Sequence, residues 1–138
     1  MDFSFPKSKH LCSKMVIDRL FASGDKLLVY PLRVVYSVSA ADYSDADDAV
    51  LEPVRVLFVV PKRYYKHAVD RNRYKRLLRE SYRLQQNALI DELKKNNLRI
   101  DMAVSVINND FNLSYANIYP KMTKVINKII EKVSTSAL

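Results

Sequence analysis

The chain has 138 residues, 49% of them hydrophobic, which suits one domain with a core that needs neither disulfides nor metal. A lone cysteine, Cys12, excludes an internal disulfide and reads as a small buried apolar residue in a reducing cytoplasm, and two histidines, His10 and His67, leave no Cys/His set spaced for structural zinc. The formal net charge of +8 points to a polyanionic partner, with RNA, DNA and an anionic membrane surface all open on composition alone.

The N-terminal MDFSFPKSKH lacks the apolar core of a secretory signal, and the longest apolar run, Val56 to Val60, is far short of a membrane span. A soluble, cytoplasmic protein is expected. Residues 9–22 predict a first helix, with Leu11, Met15, Val16, Ile17, Leu20 and Phe21 at helical spacing and Gly24 as its stop. Leu27–Tyr30 and Leu32–Ser39 are β-branched and aromatic, hence strand, with Pro31 as a break or bulge. Residues 39–53 hold five acidic side chains and no basic one, and read as a solvated loop that is either inert or repels non-cognate anions. Val54–Val60, an apolar run between prolines, suits a buried strand.

A loop, Pro61–His67, then leads into a helix over Ala68–Leu84, followed by helical turns over Asn87–Lys95 that end at Asn96 and Asn97. Ile100–Ile107 reads as the last strand. Ser114 can cap a final helix to about Val133, whose apolar stripe includes Ile118, Met122, Val125, Ile126, Ile129 and Ile130. Pro120 conflicts with a start at Tyr115, so the pattern predicts either a start near Tyr119 or a kink. The order predicts an α+β fold in one domain over 1–138, a two-layer sandwich of helices on a small mixed sheet.

The charge is concentrated in residues 61–83, where nine basic side chains stand against Asp70 and Glu80. On a helix of 3.6 residues per turn, Asn72, Lys75, Arg76, Arg79 and Arg83 fall in a sector of roughly 100°. Arg71 and Arg73 flank it, and Tyr74, Leu77, Leu78 and Ser81 form the opposite, anchoring side. Like charges three and four residues apart repel by roughly 0.2–0.5 kcal/mol per pair, so an unbalanced face is best explained by a polyanion that relieves the repulsion. Arginine suits bidentate phosphate contacts and stacking. In the preceding loop, Lys62, Arg63 and Lys66 alternate with Tyr64 and Tyr65, which either stack on exposed bases or pack the loop onto the core. A membrane-surface helix would need its apolar side free to insert, and the core requires that side.

Residues 71–79, Arg-Asn-Arg-Tyr-Lys-Arg-Leu-Leu-Arg, resemble the R-N-x-x-K-R-x-x-R helix signature of the bacterial ribonuclease P protein family. The lead-in Val54–Val56 through Pro61-Lys62-Arg63 to Ala68 is similar too, as are Leu20-Phe21-Ala22-Ser23-Gly24 and Val34-Val35-Tyr36. The resemblance implies the ribosomal protein S5 domain 2-like fold with a left-handed βαβ crossover. It implies a catalytic RNA subunit that uses Mg²⁺ to remove the 5′ leader of precursor tRNA, with no catalytic residue and no cofactor on the protein. It carries RNA-subunit contact onto Arg71, Asn72, Arg73, Lys75, Arg76 and Arg79, and Lys62, Arg63, Lys66 and Arg83 extend that basic surface. It further implies a leader cleft between the first helix and the sheet, with Phe21 and Tyr36 at its aromatic positions and Ile17 where many members have a second aromatic. The expected partners are ribonuclease P RNA and precursor tRNA, with neither DNA nor membrane. The long acidic loop and Pro120 depart from the family pattern. A general RNA-binding or ribosomal protein is the competing reading. A protein-only nuclease is disfavoured, because no acidic cluster or histidine pair is placed for metal or acid–base chemistry.

Overall fold

A computed structural model describes residues 9–11, 13–43, 52–109 and 114–136. The expectations for Cys12 and for most of the acidic loop, residues 44–51, lie outside them. The elements run α1 (Lys14–Ser23), β1 (Asp25–Val29), β2 (Leu32–Ala40), β3 (Val54–Val59), α2 (Ala68–Arg83), α3 (Gln86–Lys95), β4 (Leu98–Val106) and α4 (Tyr115–Ser136). The sheet order is β1-β2-β4-β3, antiparallel except for the parallel pair β3 and β4. Helices α2 and α3 link that pair as a βαβ crossover, which makes the fold the mixed α+β sandwich expected. The burial pattern explains the layers. Val34, Tyr36, Met102, Val104, Val56 and Phe58 point toward α2, α3 and α4, and their alternates Val35 and Ala103 point to the other face, where Leu11 and Leu20 cover them.

Helix α1 begins five residues later than its periodicity predicts. Residues 10 and 11 are extended instead: His10 bridges Val56 in parallel and the Leu11 N–H donates to the Val56 carbonyl at 3.0 Å, covering the outer edge of β3. Ser13 caps the helix through its side-chain oxygen, which accepts from the Val16 N–H at 3.4 Å. Gly24 does end it, but in an extended conformation (φ −69°, ψ 158°) and not a left-handed one. The need for glycine here is close approach. A Cβ would sit 2.5 Å from the Leu20 carbonyl oxygen and 2.8 Å from Val35 Cγ1. Gly24→Ala is therefore expected to lower stability by about 1–3 kcal/mol, the usual cost of overpacking, read as a lower urea midpoint at unchanged m-value.

Pro31 does break the run, dividing it into the two strands β1 and β2, and is not a bulge. It follows a cis peptide bond in the two-residue turn Tyr30-Pro31 of the β1–β2 hairpin, a place that asks no ladder N–H of it. Its carbonyl accepts from the Ile107 N–H at 3.0 Å. At the other end of the sheet Asn97 takes a positive φ of 55°, a conformation asparagine tolerates, and turns α3 into β4.

Helix α4 starts at Tyr115 and runs through Pro120. Ser114 caps it, its Oγ accepting from the Asn117 N–H at 3.3 Å. An interior proline costs about 3 kcal/mol. Ile118, Met122, Val125, Ile126, Ile129 and Val133 are all buried, each worth about 1.5–3 kcal/mol, so packing outweighs the proline, which faces solvent. Side-chain bonds join the helices over the sheet. Gln85 Nε2 donates to the Ser81 and Tyr119 carbonyls at 2.9 and 3.2 Å, and the Ser134 hydroxyl donates to Glu92 at 2.6 Å. That bond and one from Asn96 hold the Glu92 carboxyl below the usual carboxylate range.

Candidate nucleic-acid interface

Strand β3 runs out at Pro61 into the loop that carries the first three cations. The loop is a compact turn, with the Tyr64 and Tyr65 N–H groups both donating to the Pro61 carbonyl at 3.1 Å. Tyr65 packs inward, its ring 4.7 Å from that of Tyr74 and its hydroxyl donating to the Asn108 carbonyl at 3.5 Å. Tyr64 stays half-exposed, with the Arg63 guanidinium 4.9 Å from its ring centre. The two tyrosines thus divide the alternatives open to them: one anchors the loop and the other lies among the cations. Lys62, Arg63 and Lys66 are exposed.

Helix α2 lies on the core through Leu78, Ser81 and Tyr82, with Tyr74 packed alongside. This stripe corrects the expected anchor. Leu77 sits on its flank, half-buried, and Tyr82, its ring 6.0 Å from that of Phe58, does the anchoring. Steps of four and three residues from Tyr74 reach Leu78, Ser81 and Tyr82 on one side of the helix. On the other side Asn72, Arg73 and Arg76 are exposed, with Lys75 and Arg79 half-buried beside them. Val69, 78% exposed, lies on the same side, an apolar side chain that charge counting does not reveal.

Two of the expected cations have structural work. Arg71 donates through one guanidinium nitrogen to the Tyr65 and Lys66 carbonyls at 3.0 and 2.7 Å, fastening the loop to the first turn of α2. Arg83 is paired with Glu80, both its Nε and an Nη within 3.0 Å of the same carboxylate oxygen. The Arg71 role was not visible as spacing, whereas the three-residue step from Glu80 to Arg83 was a signal that could have found that pair.

The expected leader cleft is only partly assembled. Ile17 packs against the Leu11–Leu20–Val35–Ala103 cluster, and Phe21 is 44% exposed on the same helix. Tyr36 belongs to the opposite face of the sheet. It is 4% exposed within the main core, where burial and the nearby Asp25 carboxylate push its phenol above the usual range. The reason is the period of two: Val35 faces α1, so Tyr36 cannot. The strand register puts other side chains on the α1 side of the sheet. Leu28, Arg33, Ser105 and Val59 form one row across all four strands on the α1 side. α1 covers the adjacent Val35–Ala103–Leu57 row and leaves this one open, with Leu28 57% exposed and Arg33 exposed. The row lies at the end of the sheet where β3 passes into the basic loop. Alternation around Pro31 was the signal that could have found it.

At the opposite end of that face, Arg55 holds Asp101 by two bonds of 2.9 and 3.1 Å, with Arg99 at 3.7 Å. Asp101 and Glu80 are thus each engaged by arginine, and among the described residues no group of three or more His, Cys, Asp or Glu side chains is gathered as metal ligands would be. Among the described residues no helix is long and apolar enough to cross a membrane.

The fold and these surfaces define a small α+β protein with a cationic helical face beside an open patch of sheet. Residues 5–130 match the family model described as Ribonuclease P. The chain is 33% identical to the ribonuclease P protein component of Porphyromonas gingivalis, over 99% of this chain and 93% of that protein. It is 42% identical to that of Chlorobaculum tepidum over 62% of this chain and 53% of the relative. The Staphylococcus aureus RNase P protein structure superposes with a TM-score of 0.62, covering 89% of this chain and 95% of that one, at 17% identity, a likeness of fold alone. The chain belongs to the ribonuclease P protein family, the protein subunits of an endoribonuclease of tRNA processing.

Proposed function

We propose that this chain grips the RNA subunit of ribonuclease P with the exposed face of α2 and the loop before it. The α1 side of the sheet, with Phe21, Ile17, Leu28 and Arg33, then receives the single-stranded 5′ leader of precursor tRNA. The observation that carries the reading is the α2 face: Asn72, Arg73 and Arg76 stand exposed on a helix anchored by Tyr82, next to a loop fastened by Arg71. Protein side chains take no part in bond breaking in this reading. The RNA holds the Mg²⁺, and the cations of the protein screen phosphate repulsion so that less Mg²⁺ is needed.

The test mixes the purified chain with a bacterial ribonuclease P RNA and precursor tRNA at low Mg²⁺. The expected result is strong stimulation of correct 5′ cleavage, with no cleavage by the protein alone; absence of stimulation refutes the reading. Arg33→Ala tests the leader surface. It is expected to weaken use of a long-leader substrate about tenfold, one charge-assisted contact, and to leave a substrate with a minimal leader unchanged.

A further inference from the structure

Outside both surfaces, α4 carries four lysines, Lys121, Lys124, Lys128 and Lys132, and one acid, Glu131. The neighbouring α3 shows what a solvated helix looks like here, with Asp91 and Glu92 balancing Lys94 and Lys95. The stripe on α4 is unbalanced, and the buried side of the helix, Ile118 to Val133, makes no demand for lysine opposite it. Lys121, Lys124 and Lys128 follow steps of three and four, so they share one side over a length of about 10 Å. They line an open groove of about 490 Å³ whose other wall is Tyr30, 46% exposed in the β1–β2 turn. Asn127 lines the groove beside the lysines, and Glu131 lines it toward the C-terminal end of the helix.

We infer that this groove is a second RNA-binding site, one that holds a short single-stranded stretch by its phosphates on Lys121, Lys124 and Lys128 and by a base stacked on Tyr30. The inference rests on the RNA-partner reading above and adds a contact to it. An aromatic ring facing a row of cations is the combination that single-stranded RNA uses: phosphates meet charge and an unpaired base meets a π-face. Asn127 offers both a donor and an acceptor to a base edge or a ribose hydroxyl. Lysine, as a flexible point charge, suits a backbone whose phosphates are not rigidly placed. An acidic protein segment would use the lysines but would gain little from Tyr30.

The full chain is titrated against a bacterial ribonuclease P RNA transcript and, separately, precursor tRNA, over a series of KCl concentrations. A Lys121→Gln/Lys124→Gln/Lys128→Gln variant is expected to bind at least one of these RNAs about tenfold or more weaker. Its plot of log affinity against log salt should be shallower by about two, since each neutralised phosphate of a single strand contributes about 0.7. Tyr30→Ala is expected to lose roughly fivefold to a hundredfold at every salt concentration with no change of slope, the signature of stacking. Tyr30, Lys124 and Lys128 are exposed and Lys121 is half-buried, and an unchanged urea midpoint checks that the variants fold. If the native chain binds and both variants match it in affinity and slope, the groove is a solvated face or a site for an acidic protein, and the inference falls alone. If the native chain binds neither RNA, the proposed function falls with it.

Discussion

Replacing Arg73 and Arg76 together with alanine is expected to weaken binding to a bacterial ribonuclease P RNA by about 100-fold, because each removes a charge-assisted hydrogen bond worth about 1.5 kcal/mol or more. Both side chains are exposed on the open side of α2, so their loss leaves the fold intact. Slope as well as affinity should change: with two phosphates fewer neutralised, log affinity against log salt should flatten by about two. The contrast is with Arg83→Ala, which deprives Glu80 of its partner and adds an unbalanced acid to the face without removing an exposed cation. Equal affinity and slope for native chain and double variant, measured by anisotropy over a salt series, would mean that another surface holds the RNA.

The second large effect is on stability. Tyr82→Ala is expected to cost about 3–5 kcal/mol, as other buried aromatic truncations do. That is a large part of the roughly 5–15 kcal/mol by which a domain is stable. Tyr82 is 1% exposed, its ring meets Phe58, and it joins the basic helix to β3. Burial, with Glu52 adding to it, pushes its phenol far above the usual range, so the ring stays neutral at any working pH. Leu84→Ala two residues later, at a position 38% exposed, should shift stability by less than about 0.5 kcal/mol. Urea melts of the two variants distinguish an anchor from a surface residue. Similar midpoints for both would refute the assignment of Tyr82 as the anchor of α2.

Much of the chain was legible from local pattern. The cationic side of α2 followed from the 3.6-residue repeat alone, since residue spacing and helix geometry decide which side chains share a side. The apolar run before Pro61, the stripe of α4 and the turn at Asn97 were legible for similar local reasons. So was the family resemblance, carried by a contiguous run from Arg71 to Arg79.

Where partners come from distant parts of the chain, local pattern failed. The extended start at Leu11 depends on a hydrogen bond to Val56, and the passage of α4 through Pro120 depends on a core supplied by β-strands and α2. Gly24 reads as a helix stop and is one, but the spacing does not reveal the close approach that asks for glycine, from the Leu20 carbonyl in its own helix and from Val35 in β2. Tyr36 was assigned to the leader cleft by a match of residue type, and the strand register turned it to the other face.

The amino-acid sequence by itself determined the order of elements, the acidic and basic segments and the side of α2 that faces solvent, because these depend on periodicity and charge within short windows. Only the tertiary structure decided which cations are already engaged, as Arg71 and Arg83 are, and which face of the sheet carries Arg33 in place of Tyr36. It alone brought Tyr30 opposite three lysines of α4, some ninety residues further along the chain. The outcomes for Arg33 and Tyr30 depend on strand register and on packing between distant segments, which local spacing does not encode. The Arg71 and Arg83 bonds are local and depend on the loop geometry and rotamers that spacing leaves open.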